Sequence, residues 1–130
     1  MTSVKVKTST REHMVDVTKQ IQAEVKNSGV ATGICTVFCP HTTAGVTLQE
    51  NSDPDVKADM IQSLSRIVPR EGHRHAEGNS DAHIKSSLIG HSVTMFVENR
   101  KLVLGSWQAV FFCEFDGPRE RNLLVRVIAG

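Results

Sequence analysis

The chain has 130 residues, with 15 Lys and Arg against 14 Asp and Glu and a formal net charge of +1. This length predicts one domain over residues 1–130, and the balanced charge argues against a nucleic-acid or membrane-surface role. No apolar run is long enough to cross a bilayer, and the N-terminus is not signal-like. Three cysteines in apolar surroundings favour reduced thiols over a disulfide framework, so we expect a cytoplasmic protein.

The first part of the chain predicts one strand and one helix. Residues 3–7 alternate between polar and apolar side chains, as in a strand with one face in solvent. Asp16 or Thr18 can then cap a helix that carries two apolar residues four positions apart. The helix should end at residues 27–29, where a glycine accepts a left-handed conformation.

Two strands and a second helix follow. Residues 30–38 and 45–48 are rich in β-branched and apolar side chains and flank a break at residues 39–43. The second helix has the clearest start, with Asp53 at the N-cap and Pro54 at the first helical position. The apolar stripe predicted for this helix consists of Val56, Met60, Leu64 and Ile67.

The rest of the chain predicts a loop, a short helix and several strands. Pro69 should end the second helix, and residues 70–80 show no hydrophobic period and predict an exposed loop. The later elements are a helix at 81–88, strands at 92–98 and 102–104 around a turn at 99–100, an apolar run through Phe115, a turn at 117–122 and a strand at 123–128. These elements predict an α+β fold, an antiparallel β-sandwich with about three flanking helices.

Five of the six histidines lie between positions 41 and 91. Histidine is the commonest metal-binding side chain and the usual proton carrier near neutral pH. The rings of His73 and His75 lie on one side if that segment is extended, and His83 can supply a ligand from a different element. We predict a catalytic type of metal site formed by His41, His75 and His83, with one coordination position open. Solvated loop histidines and structural hydrogen-bond donors are the alternatives.

Two carboxylate segments lie near these histidines in the sequence. Glu50 with Asn51, and Glu77 with Asn79, can accept a proton or orient a ligand histidine through its second nitrogen. Helix or turn capping is the alternative for both segments.

A possible anion site comes next along the chain. Lys85, Ser86 and Ser87 place a cation and two hydroxyls in one helical turn, which suits a phosphate group, and Arg119 and Arg121 are further candidates. The alternative is a surface lysine without such a role.

Trp107 and Gln108 offer the only indole of the chain beside an amide. The pair can line a pocket, and packing in the core is the alternative.

Several segments in one order resemble the YjbQ-like family, and the resemblance covers nearly the whole chain. The segments are His41-Thr-Thr-Ala44, Leu48-Gln-Glu-Asn51, Asp53-Pro54, His75-Ala-Glu-Gly-Asn79, His83-Ile-Lys-Ser-Ser-Leu-Ile-Gly90 and Gly105-Ser-Trp-Gln108. This chain differs from the family pattern in having Ser106 where threonine is usual. It also leaves open whether His73 or His75 takes the ligand position.

The resemblance implies an α+β sandwich that assembles as a homotrimer, with histidines in a pocket that often holds a metal such as zinc. It also implies a secondary thiamine-phosphate synthase activity, in which an aminopyrimidine pyrophosphate is joined to a thiazole phosphate. Thr42 and Thr43 beside His41 are then substrate-binding candidates.

That reaction would need positive charge on the departing pyrophosphate, which a divalent metal, Lys85 and Arg119 can supply. Magnesium is possible with such a substrate, but the chain lacks the acidic cluster that usually holds it. A metal-dependent hydrolase of a phosphorylated small molecule and a non-catalytic ligand-binding trimer are the alternative functions.

Overall fold

The structure, a computed structural model, describes residues 1–130 as eight strands and three helices. The strands are β1 (Thr2–Lys7), β2 (His13–Asp16), β3 (Gly33–Phe38), β4 (Ala44–Glu50), β5 (Ser92–Glu98), β6 (Lys101–Leu102), β7 (Gln108–Glu114) and β8 (Glu120–Ala129). The helices are α1 (Thr18–Ser28), α2 (Pro54–Ile67) and α3 (Ser80–Ile89). None of these helices is long and apolar enough to cross a membrane.

The strands form two antiparallel sheets, which confirms the predicted α+β sandwich. One sheet has five strands in the order β1-β8-β3-β5-β6, and the other has three in the order β2-β7-β4. The main core lies between the sheets and includes Ile21 and Val25 of α1. A second apolar cluster lies on the other face of the small sheet, beneath α2 and α3. Strand β7 is therefore buried on both faces, which explains the apolar run at residues 109–113.

Helix α2 begins as the sequence predicts, because the Asp53 carboxylate accepts a hydrogen bond from the Asp55 N–H at 2.9 Å. The predicted stripe is wrong at Ile67, whose side chain is 70% exposed. The contacting face is centred between Met60 and Ile61, so Ile67 lies at its margin in the last turn.

Strand β2 was not predicted, because four residues are too few to show a period. It pairs with β7 and ends at Asp16, directly before α1. Val17 occupies the N-cap position, but the Asp16 carboxylate accepts hydrogen bonds from the Thr18 N–H at 2.9 Å and its hydroxyl at 2.6 Å. The predicted strand at residues 102–104 is shorter than expected, since only Lys101 and Leu102 pair with β5.

Candidate functional site

A polar cavity of about 370 Å³ lies where three connections meet at one end of the two sheets. These connections are the β3–β4 link, the segment that enters α3, and the β7–β8 turn. The predicted residues that line the cavity are His41, Thr42, Thr43, Glu77, Asn79, His83, Arg119 and Arg121. The cavity therefore brings together candidates that are up to 80 positions apart in the sequence.

His41 is half-buried against the edge of the Phe112 ring, with 6.2 Å between ring centroids. Its Nε2 lies 3.0 Å from the Asn122 carbonyl oxygen and 3.1 Å from the Asn122 amide nitrogen. Burial, and then the positive charge of Arg121, lower the pKa of His41. The imidazole is therefore neutral at pH 7, with Nδ1 free of protein hydrogen bonds.

Arg121 is a buried cation in the cavity wall. Its Nε donates to Glu114 Oε1 at 2.9 Å, and its Nη2 lies 2.5 Å from Glu114 Oε2 and 2.7 Å from Thr43 Oγ1. Burial acts to raise the pKa of Glu114, but hydrogen bonds from Arg121 and Thr8 outweigh it and lower that pKa. Hydrogen bonds from Nε and Nη2 therefore fix the guanidinium. The third nitrogen, Nη1, has no protein partner and is not fully buried.

A second group of hydrogen bonds joins the β7–β8 turn to the start of α3. Arg119 donates through Nε to the Asp116 carbonyl at 2.8 Å and through Nη2 to the Asp116 carboxylate at 3.1 Å. The Asn79 amide nitrogen donates to the same carboxylate at 2.9 Å. This bond fixes the orientation of the amide, and Asn79 Oδ1 is left as a buried acceptor without a partner.

The two loop histidines have different surroundings. His75 lies edge-on to His83, with 5.5 Å between ring centroids, whereas His73 Nε2 is 2.6 Å from the Pro69 carbonyl oxygen. His41 and His83 line one cavity, while His75 lines a neighbouring one, and Glu77 borders both.

The predicted three-histidine metal site is not closed in this structure. No three His, Cys, Asp or Glu side chains lie close enough together to hold an ion. His75 and His83 form a pair, but His41 has its Nε2 against the Asn122 backbone. The residues of a single chain therefore do not fit a three-histidine ion site in this arrangement, and bound zinc or magnesium stays a prediction.

Lys85 lies outside the cavity, so the predicted cation of the anion site is misplaced. Its side chain is buried, and Nζ is 3.1 Å from Glu12 Oε2, 3.2 Å from Asp81 Oδ2 and 3.4 Å from Ser65 Oγ. Two carboxylates already surround the ammonium, so an incoming phosphate would find its charge neutralised.

The two serines after Lys85 are also engaged with the backbone. Ser86 Oγ lies 2.6 Å from the Thr42 carbonyl oxygen, which ties α3 to the β3–β4 link. Ser87 Oγ donates to the His83 carbonyl at 3.0 Å. The predicted cradle of Lys85, Ser86 and Ser87 is therefore not formed.

Glu50, Asn51, Trp107 and Gln108 lie together at the opposite end of the small sheet. Glu50 is opposite Gln108 in the register of β4 and β7, and the Asn51 N–H donates to the Trp107 carbonyl at 3.0 Å. The Ala44 end of β4 is next to the cavity, and six residues of strand span about 20 Å. These four candidates therefore do not line the cavity of their own chain.

Two residues of the site were missed in the sequence. Glu114 interrupts the apolar run before Phe115, and a carboxylate inside a buried strand is a signal for a cationic partner. Asp116 follows in the turn, where nothing in the sequence distinguishes a carboxylate that holds Arg119 from a turn-forming aspartate.

The fold and the cavity define a class of small α+β proteins in which two antiparallel sheets carry a pocket of histidine and arginine at one end. The family model described as "UPF0047 protein YjbQ-like" matches residues 2–130. The chain belongs to this YjbQ-like family.

Relatives in bacteria and archaea match over nearly their whole length. UPF0047 protein YugU of Bacillus subtilis is 44% identical over 128 residues, with 97% of each chain covered. UPF0047 protein MJ1081 of Methanocaldococcus jannaschii is 50% identical over 124 residues, covering 95% of this chain and 90% of the relative. A crystal structure of a YjbQ/UPF0047 family protein from Clostridium acetobutylicum has 47% identity and a TM-score of 0.96, covering 98% of this chain and 100% of that chain.

Proposed function

We propose that the polar cavity binds a phosphorylated small molecule and that the chain transfers a group from a pyrophosphate ester. In the reaction that the family resemblance suggests, a thiazole nitrogen attacks the methylene carbon of an aminopyrimidine pyrophosphate. A carbon–nitrogen bond forms, the carbon–oxygen bond breaks, and pyrophosphate leaves with the electron pair. The supporting observation is that His41 and His83 share one cavity with the guanidinium groups of Arg119 and Arg121.

The arginines suit the anionic part of such a substrate. Arg121 lines the cavity and is held by Glu114 through Nε and Nη2, which leaves Nη1 without a protein partner. Arg119 is held by Asp116, with its side chain 55% exposed. Guanidinium groups bind phosphate oxygens through fixed pairs of N–H donors. Positioned cations of this kind stabilise the charge that develops on a departing pyrophosphate.

Two further groups suit the ring of an aminopyrimidine and its protons. The unpaired Oδ1 of Asn79 can accept a hydrogen bond from an exocyclic amino group, which would satisfy a buried acceptor. The neutral His41 imidazole can accept or relay a proton at Nδ1. His83, on the first turn of α3, lines the same cavity and is the second candidate for proton transfer.

The test is to measure pyrophosphate release from the pyrimidine pyrophosphate in the presence of thiazole phosphate. We expect His83→Ala to lower the rate by about 100-fold or more, the usual range for loss of acid–base catalysis. His91→Ala is the matched control, because His91 is half-buried at the end of α3 without lining the cavity, and it should keep the wild-type rate. Absence of turnover by the wild-type protein would contradict the proposal and favour a non-catalytic binding protein.

The adjacent His75 and His83 favour one alternative, a metal-dependent hydrolase of a phosphorylated small molecule. Metal analysis of the wild-type protein beside His41→Ala, His75→Ala and His83→Ala separates the two functions. Metal lost in the His83 and His75 variants, together with water-dependent phosphate release, would support the hydrolase. Unchanged metal content in all three variants would contradict the predicted ion ligands.

A further inference from the structure

Strand β3 stops pairing with β8 where the cavity begins, and Pro40 accounts for the position of this break. The last pair of the ladder joins Phe38 to Leu124, so the next pair of the same kind would join Pro40 to Asn122. In an antiparallel ladder, alternate pairs exchange two hydrogen bonds, with an N–H donating to a carbonyl in each direction. Proline has no backbone N–H, so one of these two bonds cannot form.

The backbone groups of Asn122 face the side on which β3 has ended. The Gly130 N–H donates to the Thr32 carbonyl on that side, and Asn122 is an even number of residues from Gly130, so its groups point the same way. Both groups meet the imidazole of His41 instead of a strand. Nε2 lies 3.0 Å from the Asn122 carbonyl oxygen and 3.1 Å from its amide nitrogen. The ring therefore takes the place of a strand residue in the ladder.

A neutral imidazole carries its proton on one nitrogen, and the Asn122 backbone favours one of the two forms. If Nε2 carries the proton, it donates to the carbonyl, and the Asn122 N–H faces another N–H without an acceptor. If Nδ1 carries the proton, Nε2 accepts from that N–H, and a carbonyl is left unpaired. Unpaired backbone N–H groups are rarer in folded proteins than unpaired carbonyls, whose oxygens have two lone pairs. The form with the proton on Nδ1 is therefore the better match.

We propose that His41 is a neutral hydrogen-bond donor, held by the Asn122 peptide group, whose Nδ1–H binds an oxygen of the ligand, and that Pro40 opens this position. His41 and Pro40 both line the cavity. The identity of the oxygen rests on the proposed function, in which it belongs to the pyrophosphate and gains charge as the carbon–oxygen bond breaks. A ring nitrogen that carries a proton cannot accept another, so His83 is left as the residue for proton transfer.

The position of the proton can be measured in the free protein, without ligand or turnover. In protein labelled with nitrogen-15, long-range correlations between ring protons and ring nitrogens distinguish the two neutral forms. The His41 signals are assigned by their absence from the His41→Gln variant. We expect the Nδ1–H form at pH 7. The Nε2–H form, or the averaged signals of a solvated histidine, would overturn the proposal.

The same geometry argues against His41 as an ion ligand. A metal binds the lone pair of an imidazole nitrogen, but here the Nε2 lone pair accepts a hydrogen bond and Nδ1 carries the proton. Addition of zinc should therefore leave the His41 ring signals unchanged. Loss of the Nδ1 proton on zinc addition would make His41 a ligand and overturn the proposal.

Pro40→Ala tests the cause of this arrangement. The variant gains an N–H that can donate to the Asn122 carbonyl, which would extend the ladder by one pair and displace the ring. We expect the His41 signals to change to the averaged form. Pro54→Ala, at the start of α2, is the matched control and should leave them unchanged. Unchanged His41 signals in Pro40→Ala would overturn the role of Pro40.

The donor role is tested by the binding of inorganic pyrophosphate, measured by calorimetry. We expect His41→Ala and His41→Gln to weaken binding by about tenfold each, the effect of one hydrogen bond. The glutamine oxygen can still accept from the Asn122 N–H, and slow hydrogen exchange of that amide would show that the fold is kept. His91→Ala is the control and should bind as the wild type does. Wild-type affinity in both His41 variants would overturn the donor role. If the wild-type protein has the Nδ1–H form but binds no pyrophosphate, the assigned form stands and the proposed function fails.

Discussion

The residue that most constrains the cavity is Arg121, a cation with only 7% of its side chain exposed. Removal of charged groups from water is unfavourable, so the guanidinium depends on the Glu114 carboxylate behind it. Thr8 and Thr43 occupy further hydrogen-bonding positions of this pair, and the arrangement fixes the direction in which Nη1 points. The cation is therefore oriented before any ligand binds.

Replacement of the buried carboxylate should be costly. We expect Glu114→Gln, which keeps the shape of the side chain but leaves Arg121 without a counter-charge, to lower the free energy of unfolding by about 3 kcal/mol. Glu120→Gln is the control, because Glu120 is exposed in the same β7–β8 region and should change stability by less than about 0.5 kcal/mol. Urea denaturation at pH 7 measures both values, and equal midpoints would contradict the assigned role.

For single residues, the sequence indicated which side chains form the site better than it indicated where each side chain lies in the fold. His41, His83 and Arg119 were predicted and do line one cavity, because polar side chains in connections at one end of a sandwich tend to meet. Lys85 was misplaced because the sequence does not show which side of α3 faces the interior. Its partner Glu12 is 73 positions away in the sequence, and no local pattern predicts such a pair.

Helix α3 carries His83, and a buried network holds it in place. Asp81 has no exposed surface and receives two hydrogen bonds from Arg11, at 3.0 and 3.1 Å, and one from Lys85. Ser65 of α2 lies 3.4 Å from the same ammonium, so α2, α3 and the β1–β2 connection meet at one point. The network positions the helix on which the proposed proton-transfer residue lies.

Removal of the Asp81 charge should destabilise the whole of helix α3. We expect Asp81→Asn to lower the free energy of unfolding by about 3 kcal/mol, because two cations then share one carboxylate in a buried site. Amide hydrogen exchange should rise within α3 more than in β7. Asp59→Asn, exposed on α2, is the matched control and should change neither quantity. An unchanged exchange rate in α3 would show that the network does not position the helix.

Elements with capping or turn residues in the sequence were predicted closely. Elements without such residues were not predicted. The start of α2 follows from Asp53 and Pro54, and the turn at Asn99 and Arg100 is confirmed by positive φ angles at both residues. Strand β2 escaped prediction because its four residues form a strand only through pairing with β7. Its partner is almost 100 positions away along the chain, beyond the range of any local pattern.

For the whole molecule, the order of the predicted elements indicated a sandwich but not which strands pair with one another. Strand β8 pairs with both β1 and β3, so the last strand of the chain joins the first to the centre of the large sheet. Gly33 makes this pairing possible, because a side chain there would lie 1.9 Å from the Ile128 carbonyl oxygen. Such close contacts between backbone segments depend on how the chain packs, and a single sequence does not predict them.

The buried carboxylates should make the whole fold sensitive to acid. Burial acts to raise the pKa of Glu114 and Asp81, but hydrogen bonds from Arg121 and Thr8, and from Arg11 and Lys85, lower both below their ordinary values of 4.5 and 3.8. The unfolded chain therefore takes up protons first, so this stabilisation is complete above about pH 5 and is lost as the pH falls through the lower folded values. We expect urea midpoints to fall steeply between pH 5 and pH 3, and to fall less in Glu114→Gln or Asp81→Asn. If the urea midpoints of the wild-type protein and both variants fell by the same amount over this pH range, the acid sensitivity would belong to other groups.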